Sequence, residues 1–407
     1  MKVPFYIAKR YLFSKKSKNI INIISGISVF GIFISTCAMV IVLSGFNGIE
    51  ELVEKLYSSF DADIRITKAE GKTFDFHEIS KEDILKIEGV NAITEVIEEI
   101  TMIKHEDRWI TATMKGVEDS YLSICLLDSV LTEGKAKLQD DGFNKAIIGI
   151  GLQNKIQVTS DPRYHDYLTV YGLLRDEKFS KNNTDAFKPE MISVGGVFAI
   201  NPEFDNTYFL VPIQFAKNLL EYENDITAYE ISIKSGFTNK QVKEEIQKLV
   251  GNKFQVKTRY EQNELVFKTN ETEKWMVFLI LGFILLLSTF NIIASLTMLI
   301  LDKKKDIETL ISMGATRQFI LKVFFLEGVF INLLGGIIGI SVGLLIAWLQ
   351  LTFHFVTLEN SVITYWPVSI HFLDVLMVFG TVALIGIGSS YVPVSYLIKR
   401  HFKKQFN

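Results

Sequence analysis

The chain of 407 residues contains 48% hydrophobic residues, has a mean hydropathy of +0.25 and carries a formal net charge of −3. Its length allows two or three structural units, and its hydropathy is high for a soluble protein. Because no segment has the basic character of a nucleic-acid-binding domain, we expect no nucleic acid partner. The two cysteines, Cys37 and Cys125, fall in different regions, which argues against a disulfide or a cysteine-based zinc site.

Four apolar runs are each long enough to cross the membrane, since a hydrocarbon core of about 30 Å requires about 20 helical residues. They predict transmembrane helices at residues 20–45, 275–301, 319–351 and 375–398. The first run is too long for the apolar core of a cleaved signal peptide, which spans about 7–15 residues. Apolar sequence also continues past Cys37, which argues against a lipoprotein signal, so we expect a retained anchor.

Basic residues predict the orientation, because Lys and Arg are enriched in the short cytoplasmic segments of membrane proteins. Segment 1–19 has six of them and no acidic residue, and the tail 399–407 is also basic. Segment 302–318 contains three consecutive lysines, whereas segment 352–374 has no Lys or Arg. Both termini and segment 302–318 are therefore expected in the cytoplasm, and 352–374 is expected to be a short loop on the outer side of the membrane.

Residues 46–274 are too many for a loop and predict a separate outer domain with 28 Lys and Arg against 40 Asp and Glu, a net charge of −12. "DADIRIT" alternates like a strand, "EISKEDILKIEGV" has a helical period, and "EEITMIKHEDRWITATMKGV" predicts a hairpin turning at 105–107. "AYEISIKS", "NKQVKEEIQKLVG" and "KFQVKTRY" predict strand, helix and strand, while "LLRDEKFSKNNTDAFKP" predicts an exposed loop. The sequence thus predicts a membrane protein with four transmembrane α-helices and a large α+β extracytoplasmic domain inserted between helices 1 and 2.

Motifs for catalysis or metal binding are absent from the sequence. "GKT" at 71–73 ends like a phosphate-binding loop, but Ile66 stands where the leading glycine is required. His105 and His165 are isolated, so surface positions are expected for them rather than metal ligation, which needs several donors. We therefore expect no catalytic, cofactor-binding or metal-binding residue in this chain.

The third span contains one acidic residue and regularly spaced glycines. A charge inside a span is costly, so Glu327 is a candidate functional group; the alternative is that it faces a neighbouring helix or reaches the interface near Lys322. Gly335, Gly339 and Gly343 recur every four residues, a pattern that lets another helix approach closely. Glycine is also common in membrane helices without such a role.

Segment 302–318 predicts a short amphipathic helix between two spans. Ile307, Leu310 and Ile311 share one face, and Gly314 is suited to end the helix in a left-handed cap. Thr316 can then cap the next span. One interpretation is a helix lying on the membrane surface; the other is a lever that docks in a groove of a partner and transmits its motion.

The stretch "FNIIASLTMLILDKKKDIETLISMGAT" resembles the permeases typified by MacB, FtsX and the lipoprotein-releasing pair LolC/LolE. In these proteins a K-x-x-x-I-x-x-L-x-x-x-G-A pattern follows the second span, and an E-G pair with spaced glycines lies in the third. The matching residues here are Lys303, Ile307, Leu310, Gly314, Ala315, Glu327, Gly328, Gly335, Gly339 and Gly343.

Within this superfamily the LolC/LolE branch is most similar. The similar segments are "FYIAKRYLFSKKSKNIINIIS", the "VLSGFNG" end of the first span, and "GVF" followed by "EFDNTYFLVPIQFAKNLL". The resemblance covers nearly the whole chain, and the ATPase fused ahead of the first span in MacB-type chains is absent.

The resemblance implies a non-catalytic permease subunit of a mechanotransmission ABC transporter in the bacterial inner membrane. It would extract triacylated lipoproteins and pass them to a periplasmic LolA-like carrier. ATP and Mg would bind a LolD-like ATPase dimer, and a second permease copy or a sister subunit would complete the transporter. The alternative is a MacB- or FtsX-like role, in which the chain drives an efflux adaptor or a cell-wall hydrolase without moving lipid. A third reading, an intramembrane enzyme using Glu327 or Asp374, lacks a second catalytic group.

The resemblance also assigns candidate sites. Coupling to the ATPase would involve Lys303, Asp306, Ile307, Leu310, Ile311 and Gly314. The candidates for a cavity that contacts membrane lipids and lipoprotein are Met39, Val42, Leu43, Phe46, Phe278, Leu281 and Leu285; the alternative is that they are ordinary lipid-facing residues. A carrier-docking loop would correspond to 175–191, with Phe187, Pro189 and Met191 as contacts, although this stretch is longer and more charged than in the family.

Overall fold

The computed structural model describes residues 2–12, 19–125, 127–140, 142–161, 163, 166–174, 187–358 and 365–405. The chain forms two compact units. The membrane unit comprises Met1–Leu52 and Lys268–Asn407, and the sheet unit comprises Val53–Phe267.

The helices are α1 Lys2–Leu12, α2 Asn19–Ser58, α3 Lys81–Leu85, α4 Asp119–Ile124, α5 Ile150–Ile156, α6 Pro202–Asp205, α7 Ile213–Leu220, α8 Asn239–Val250, α9 Arg259–Gln262, α10 Glu264–Asp302, α11 Lys304–Ser312, α12 Arg317–Phe353 and α13 Phe372–Gln405. The strands are β1 Ile64–Lys68, β2 Phe74–Asp75, β3 Val90–His105, β4 Arg108–Val117, β5 Leu131–Gly134, β6 Gln139–Asp140, β7 Phe143–Gly149, β8 Tyr167–Leu173, β9 Phe187–Phe198, β10 Tyr208–Pro212, β11 Asp225–Ile226, β12 Ala228–Ile233 and β13 Phe254–Thr258. Short 3₁₀ turns lie at Phe76–Glu78 and Leu127–Val130.

Four helices of the described chain, α2, α10, α12 and α13, are long and apolar enough to cross a membrane. The first two are longer than the apolar runs alone indicate. Helix α2 continues to Ser58, beyond the predicted limit at residue 45, because "IEELVEKLYS" is a polar sequence of good helix formers. Helix α10 likewise begins at Glu264, before the predicted start at 275. The division between the two units falls inside both helices.

Helix α12 packs between α2 and α13 in the membrane unit. Its glycines at 335, 339 and 343 face α2, where a Cβ on Gly335 would lie 2.7 Å from the Val29 carbonyl oxygen. On its other side the buried Asn332 donates from Nδ2 to the Val382 carbonyl of α13, at 2.8 Å. Helix α1 contacts the first half of α12, with the rings of Phe5 and Phe330 5.0 Å apart.

The sheet unit is built on an eleven-stranded sheet in which part of the sheet closes on itself. Strands β3, β4, β10, β7, β9 and β8 each pair with two others of this set, so they form a closed ring. Strands β12, β1 and β13 extend β3 in antiparallel order. The ring is filled by apolar side chains, including Ile97, Ile103, Met114, Ile148 and Val170, all fully buried.

Several local predictions for this unit are confirmed. The β3–β4 hairpin turns at residues 106 and 107, where Glu106 adopts a left-handed φ of 51°. The strand–helix–strand order predicted near the end of the domain corresponds to β12, α8 and β13. The helix predicted in "EISKEDILKIEGV" is only the five-residue α3, and Gly89 beyond it has a φ of 100°.

Candidate functional site

Helix α11 lies between α10 and α12, a position that both the lever and the surface-helix interpretations require. Its apolar face packs into the core of the membrane unit, where Ile307 is buried and Ile311 partly buried. Its other face carries exposed charges joined by weak surface pairs, with Lys304 Nζ 3.8 Å from Glu308 Oε1 and Lys303 Nζ 3.7 Å from Asp306 Oδ2. The helix is therefore fixed on one side and presents the charged side outward.

The end of α11 is a Schellman motif. Gly314 has a φ of 90°, its N–H donates to the Ile311 carbonyl at 2.9 Å, and the Ala315 N–H donates to the Leu310 carbonyl at 2.9 Å. Thr316 then caps α12, with its Oγ1 accepting from the Phe319 N–H at 3.3 Å. The two predicted caps are confirmed, and together they make a tight turn between α11 and α12 with almost no spare chain.

The residues suggested for a lipid cavity are mostly packed inside the membrane unit. Met39, Leu43 and Leu285 are buried in its core, and Phe278 and Leu281 are partly buried against it. The half-buried residues are Val42 and Phe46. A cavity of about 160 Å³ remains, lined by Leu43, Glu50, Glu271, Lys274, Trp275, Phe278 and Met377. The structure brings Leu43 and Phe278 together at this cavity.

Glu327 is buried within α12, with a relative exposure of 1%. Its Oε2 atom has no hydrogen-bond partner among the described residues. The neighbouring Gly328 lies against α13, where an added Cβ would lie 2.5 Å from Ser390 Oγ. The acid therefore lies inside the helix bundle.

The residues suggested for carrier docking do not all lie in a loop. Residues 175–186 are outside the described residues, but Phe187, Pro189 and Met191 belong to β9. They pair with Leu173, Tyr171 and Thr169 of β8, respectively. Residues 187–191 belong to a strand rather than to the predicted loop because "FKPEM" alternates apolar and polar side chains and β8 supplies its pairing partner.

These residues are part of a broad outer face of the ring, hereafter the apolar sheet face. Alternation along the strands places Phe187, Pro189 and Met191 on one side of the sheet. Cross-strand pairing brings further side chains to that side. The face comprises Ile100, Met102, Trp109, Tyr171, Leu173, Phe187, Pro189 and Met191. Met191 is 64% exposed, Ile100 65% and Trp109 48%. An exposed set of large apolar side chains of this kind makes this face a candidate interaction surface.

Sequence reasoning did not identify Ile100, Trp109 or Tyr171 as members of this surface. The available signal was in β3 and β4, where apolar residues occupy both alternating faces rather than one. His105, expected at the surface, is instead buried at the end of β3, with Nδ1 3.1 Å from the Ile156 carbonyl. Strand alternation places His105 on the core side together with Ile103. His165 lies outside the described residues.

A buried ionic cluster lies where the chain leaves α2. Lys115 and Glu230 are each 1% exposed, with Lys115 Nζ 3.0 Å from Glu230 Oε1. Lys115 Nζ also donates to the carbonyl of Phe60, which accepts from the Tyr121 hydroxyl as well. Burial raises the pKa of the Glu230 carboxyl despite the nearby cations. Arg65 pairs with Glu98, and the charges of Arg65 and Lys115 outweigh burial to lower the pKa of Glu98.

Nothing in the described residues forms a group of three or more His, Cys, Asp and Glu side chains placed to hold a metal ion. The features that the structure does bring together are the capped α11, the small cavity beside Leu43 and the apolar sheet face.

Comparison with known proteins gives two family matches. The MacB-like periplasmic core domain matches residues 25–249, and the FtsX-like permease C-terminal region matches residues 278–402. Among curated proteins, the lipoprotein-releasing system transmembrane protein LolC of Buchnera aphidicola is 27% identical over 98% of this chain and 96% of its own length. LolE of Haemophilus influenzae is 22% identical over 98% of both chains. The solved periplasmic region of MacB from Actinobacillus actinomycetemcomitans is 13% identical, with a TM-score of 0.36 over 53% of this chain and 97% of its own.

Proposed function

Since the chain belongs to the MacB/FtsX-like permeases and its relatives over the full length are LolC and LolE proteins, we propose that it extracts lipoproteins from the inner membrane and delivers them to a periplasmic carrier. The observation that carries this proposal is that the similarity to lipoprotein-releasing permeases extends over both units. The family shows the coarser role, a multi-pass membrane permease.

ATP hydrolysis would be supplied by a separate ATPase dimer. The only phosphate-loop-like stretch of this sequence lacks its leading glycine. In this proposal the exposed side of α11 docks in a groove of the ATPase, in the manner of other helix-in-groove contacts. The tight α11–α12 turn at Gly314 passes a displacement of α11 to α12 with little slack.

Energy input is required because the cargo is held strongly by the bilayer. Each methylene group withdrawn from the membrane costs about 0.8 kcal/mol, so three acyl chains cost tens of kcal/mol in total. Helices α2 and α10 carry the chain from the membrane unit to the sheet unit. They are therefore the elements through which a displacement generated at α11 would reach the sheet unit.

The apolar sheet face is the proposed docking surface for the carrier. A carrier of acyl chains must leave its docking partner again, so a moderately apolar surface ringed by polar residues suits a transient contact. Lys104 lies within this face, paired with Trp109 of β4 and Thr169 of β8, and its Nζ is 5.0 Å from the Trp109 ring centroid. Docking of a periplasmic carrier on this face requires the sheet unit to lie in the periplasm. The distribution of Lys and Arg predicts this orientation, with both termini in the cytoplasm.

The first experiment is a mild-detergent purification of the chain at native expression, followed by mass spectrometry of the associated proteins and lipids. Recovery of a separate ABC ATPase together with triacylated lipoproteins is the expected result. The same data show whether the second permease is another copy or a sister subunit. Recovery of the ATPase with an efflux adaptor or a cell-wall hydrolase, and without lipoprotein, would favour the MacB- or FtsX-like alternative.

A further inference from the structure

Three membrane helices meet in a buried polar cluster at the domain-side end of the spans, which is the end where α2 leaves and α10 enters the membrane unit. Asn47 of α2 is fully buried. It donates from Nδ2 to Asp374 Oδ2 of α13 at 2.6 Å and accepts at Oδ1 from Lys274 Nζ of α10 at 2.6 Å. Lys274 Nζ lies 3.3 Å from Asp374 Oδ2, which closes the triangle.

The contacts of this cluster are charge-assisted hydrogen bonds and an ion pair. Each involves a charged group, and such hydrogen bonds are roughly twice as strong as neutral ones. Asp374 is 8% exposed, so loss of the Lys274 ammonium would leave its carboxylate with much reduced compensation. The three side chains therefore hold three helices together while all are in place.

The attachment of α2 to α13 at this end also involves the backbone. The N–H of Ser369 donates to the Ser44 carbonyl at 2.9 Å, and the Ser369 hydroxyl donates to Glu51 at 2.6 Å. A Cβ on Gly48 would lie 2.4 Å from the backbone of Pro367. Helix α2 and the segment before α13 are thus in direct backbone contact and cannot separate without rearrangement.

The attachment of α10 to the Asn47–Asp374 pair is different in kind, because it is made by the flexible side chain of Lys274. A lysine ammonium on its four-carbon stem can leave this pair without any change in the helix backbone. The cavity of about 160 Å³ described above lies beside Lys274 and is lined by residues of the same three helices. Displacement of α10 at this end would widen that cavity.

We propose that Lys274 is a positioning residue that latches α10 to α2 and α13, and that its release opens the cavity beside Leu43 and Phe278 to acyl chains. The acyl-chain part of this inference rests on the proposed function. The latch itself does not, because it concerns only how three helices of this chain are held.

The latch is tested by cysteine labelling in the assembled transporter in lipid nanodiscs. Leu43→Cys is placed in a background of Cys37→Ala and Cys125→Ala and is labelled with N-ethylmaleimide. Lys274→Met should raise the labelling rate about tenfold or more, because the buried Asn47 and Asp374 lose the ammonium that attaches α10 to them. The control Lys55→Met, which removes an exposed ammonium from the same helix as Asn47, should leave the rate unchanged.

A charge exchange separates the latch from general damage. The double variant Lys274→Asp with Asp374→Lys restores an opposite-charge pair and should return labelling toward the parent rate. If Lys274→Met does not fold, Asp374→Asn provides a second variant that weakens the same contact. Labelling at the parent rate in both single variants would overturn the latch.

Transport is measured on the same samples as triacylated lipoprotein released per ATP hydrolysed. Lys274→Met should lower this ratio about tenfold, since a continuously open cavity no longer couples opening to hydrolysis. The two measurements can disagree. If the protein without Lys274→Met releases no lipoprotein but Lys274→Met still changes the labelling of Leu43→Cys, the proposed function is overturned and the latch remains supported. Unchanged release per ATP together with increased labelling would overturn the role of the latch in transport.

Discussion

Gly339 lies so close to the backbone of Phe33 that a Cβ on Gly339 would be 2.7 Å from the Phe33 carbonyl oxygen. Gly339→Ala should therefore push α12 away from α2 and destabilise the membrane unit by about 1–3 kcal/mol, the usual range for overpacking. The measurement is the thermal midpoint of the purified protein in detergent. The matched control is Gly380→Ala on α13, where a Cβ meets nothing within 4 Å, so the midpoint should stay the same or rise. Equal effects of the two substitutions would contradict close α2–α12 packing.

Gly314 tests whether the turn after α11 transmits motion. Gly314→Asn should keep lipoprotein release coupled to ATP hydrolysis, because Asn tolerates the left-handed conformation that Gly314 adopts at φ 90°. Gly314→Val should weaken it, since β-branched residues are strained there, and Gly314→Pro also removes the N–H donated to Ile311. Lipoprotein release per ATP is the readout. If the Gly314→Pro variant releases as much lipoprotein per ATP as the parent, α11 does not act as a lever.

Charge reversal provides a second test of α11 at its exposed side. Asp306→Lys with Glu308→Lys removes both acids without disturbing the buried face at Ile307. If α11 docks in an ATPase groove, this variant should lose ATPase from a pull-down while its own thermal midpoint changes little. Full retention of the ATPase would contradict docking through this face.

Met191 tests the apolar sheet face. Met191→Glu places a charge on a side chain that is 64% exposed, so folding should be unaffected while carrier binding weakens at least about tenfold. Leu249→Glu on α8 is the matched control, because Leu249 is also half exposed but lies on a different element. Binding of the purified carrier to the full chain in nanodiscs is measured. If both variants bind the carrier with the same affinity, the carrier does not dock on the apolar sheet face.

Lys115 and Glu230 form a pair whose partners depend on each other. Lys115→Met removes the cation beside the Glu230 carboxyl, whose pKa is already raised by burial. We therefore expect the folded state to be destabilised by about 3–5 kcal/mol. The double variant with Glu230→Gln should recover much of this loss. In Lys115→Met the folded state binds a proton more readily than the unfolded state. Its stability should therefore increase as pH falls from 8 towards 5. Denaturation at several pH values checks this; a decrease towards pH 5 would contradict it.

Cys125 should be chemically inert in the folded protein. Its side chain is fully buried, and burial raises the pKa of its thiol to about 12, so almost no thiolate exists at pH 8. With Cys37→Ala in place, iodoacetamide should modify Cys125 only after denaturation, as intact mass would show. Rapid modification of the native protein at pH 8 would show that the region around α4 opens.

The membrane unit was largely predictable because its physical signals are local. The lengths of the apolar runs predicted the four spans. Gly314 and Thr316 predicted the two caps, because a left-handed cap and an N-cap each depend on one or two residues. The same kind of local reasoning placed the β3–β4 hairpin at residues 105–107. The limits of α2 and α10 were missed because the helix continues through polar sequence that hydropathy does not score.

The contacts between distant segments were not predictable. The pairing of Met191 with Thr169 depends on the course of β8 and β9, and the cluster of Asn47, Lys274 and Asp374 joins residues far apart in the chain. Each of those three residues occurs at the edge of an apolar run, where a polar residue is ordinary. Only their convergence distinguishes them, and a single sequence without aligned relatives does not carry that information.

The order of strands in the sheet unit has a consequence for biogenesis. Strand β1 pairs with β12 on one side and β13 on the other, so Ile64 meets Ile231 and Thr258. In the proposed orientation, a nascent chain would therefore cross the membrane with its first strand unpaired until nearly the whole unit has been exported and the second span begins to follow. Contacts so distant in sequence form slowly. During this interval the unpaired strand would be open to aggregation, so in the proposed orientation periplasmic chaperones and the rate of export would both affect the yield of folded protein.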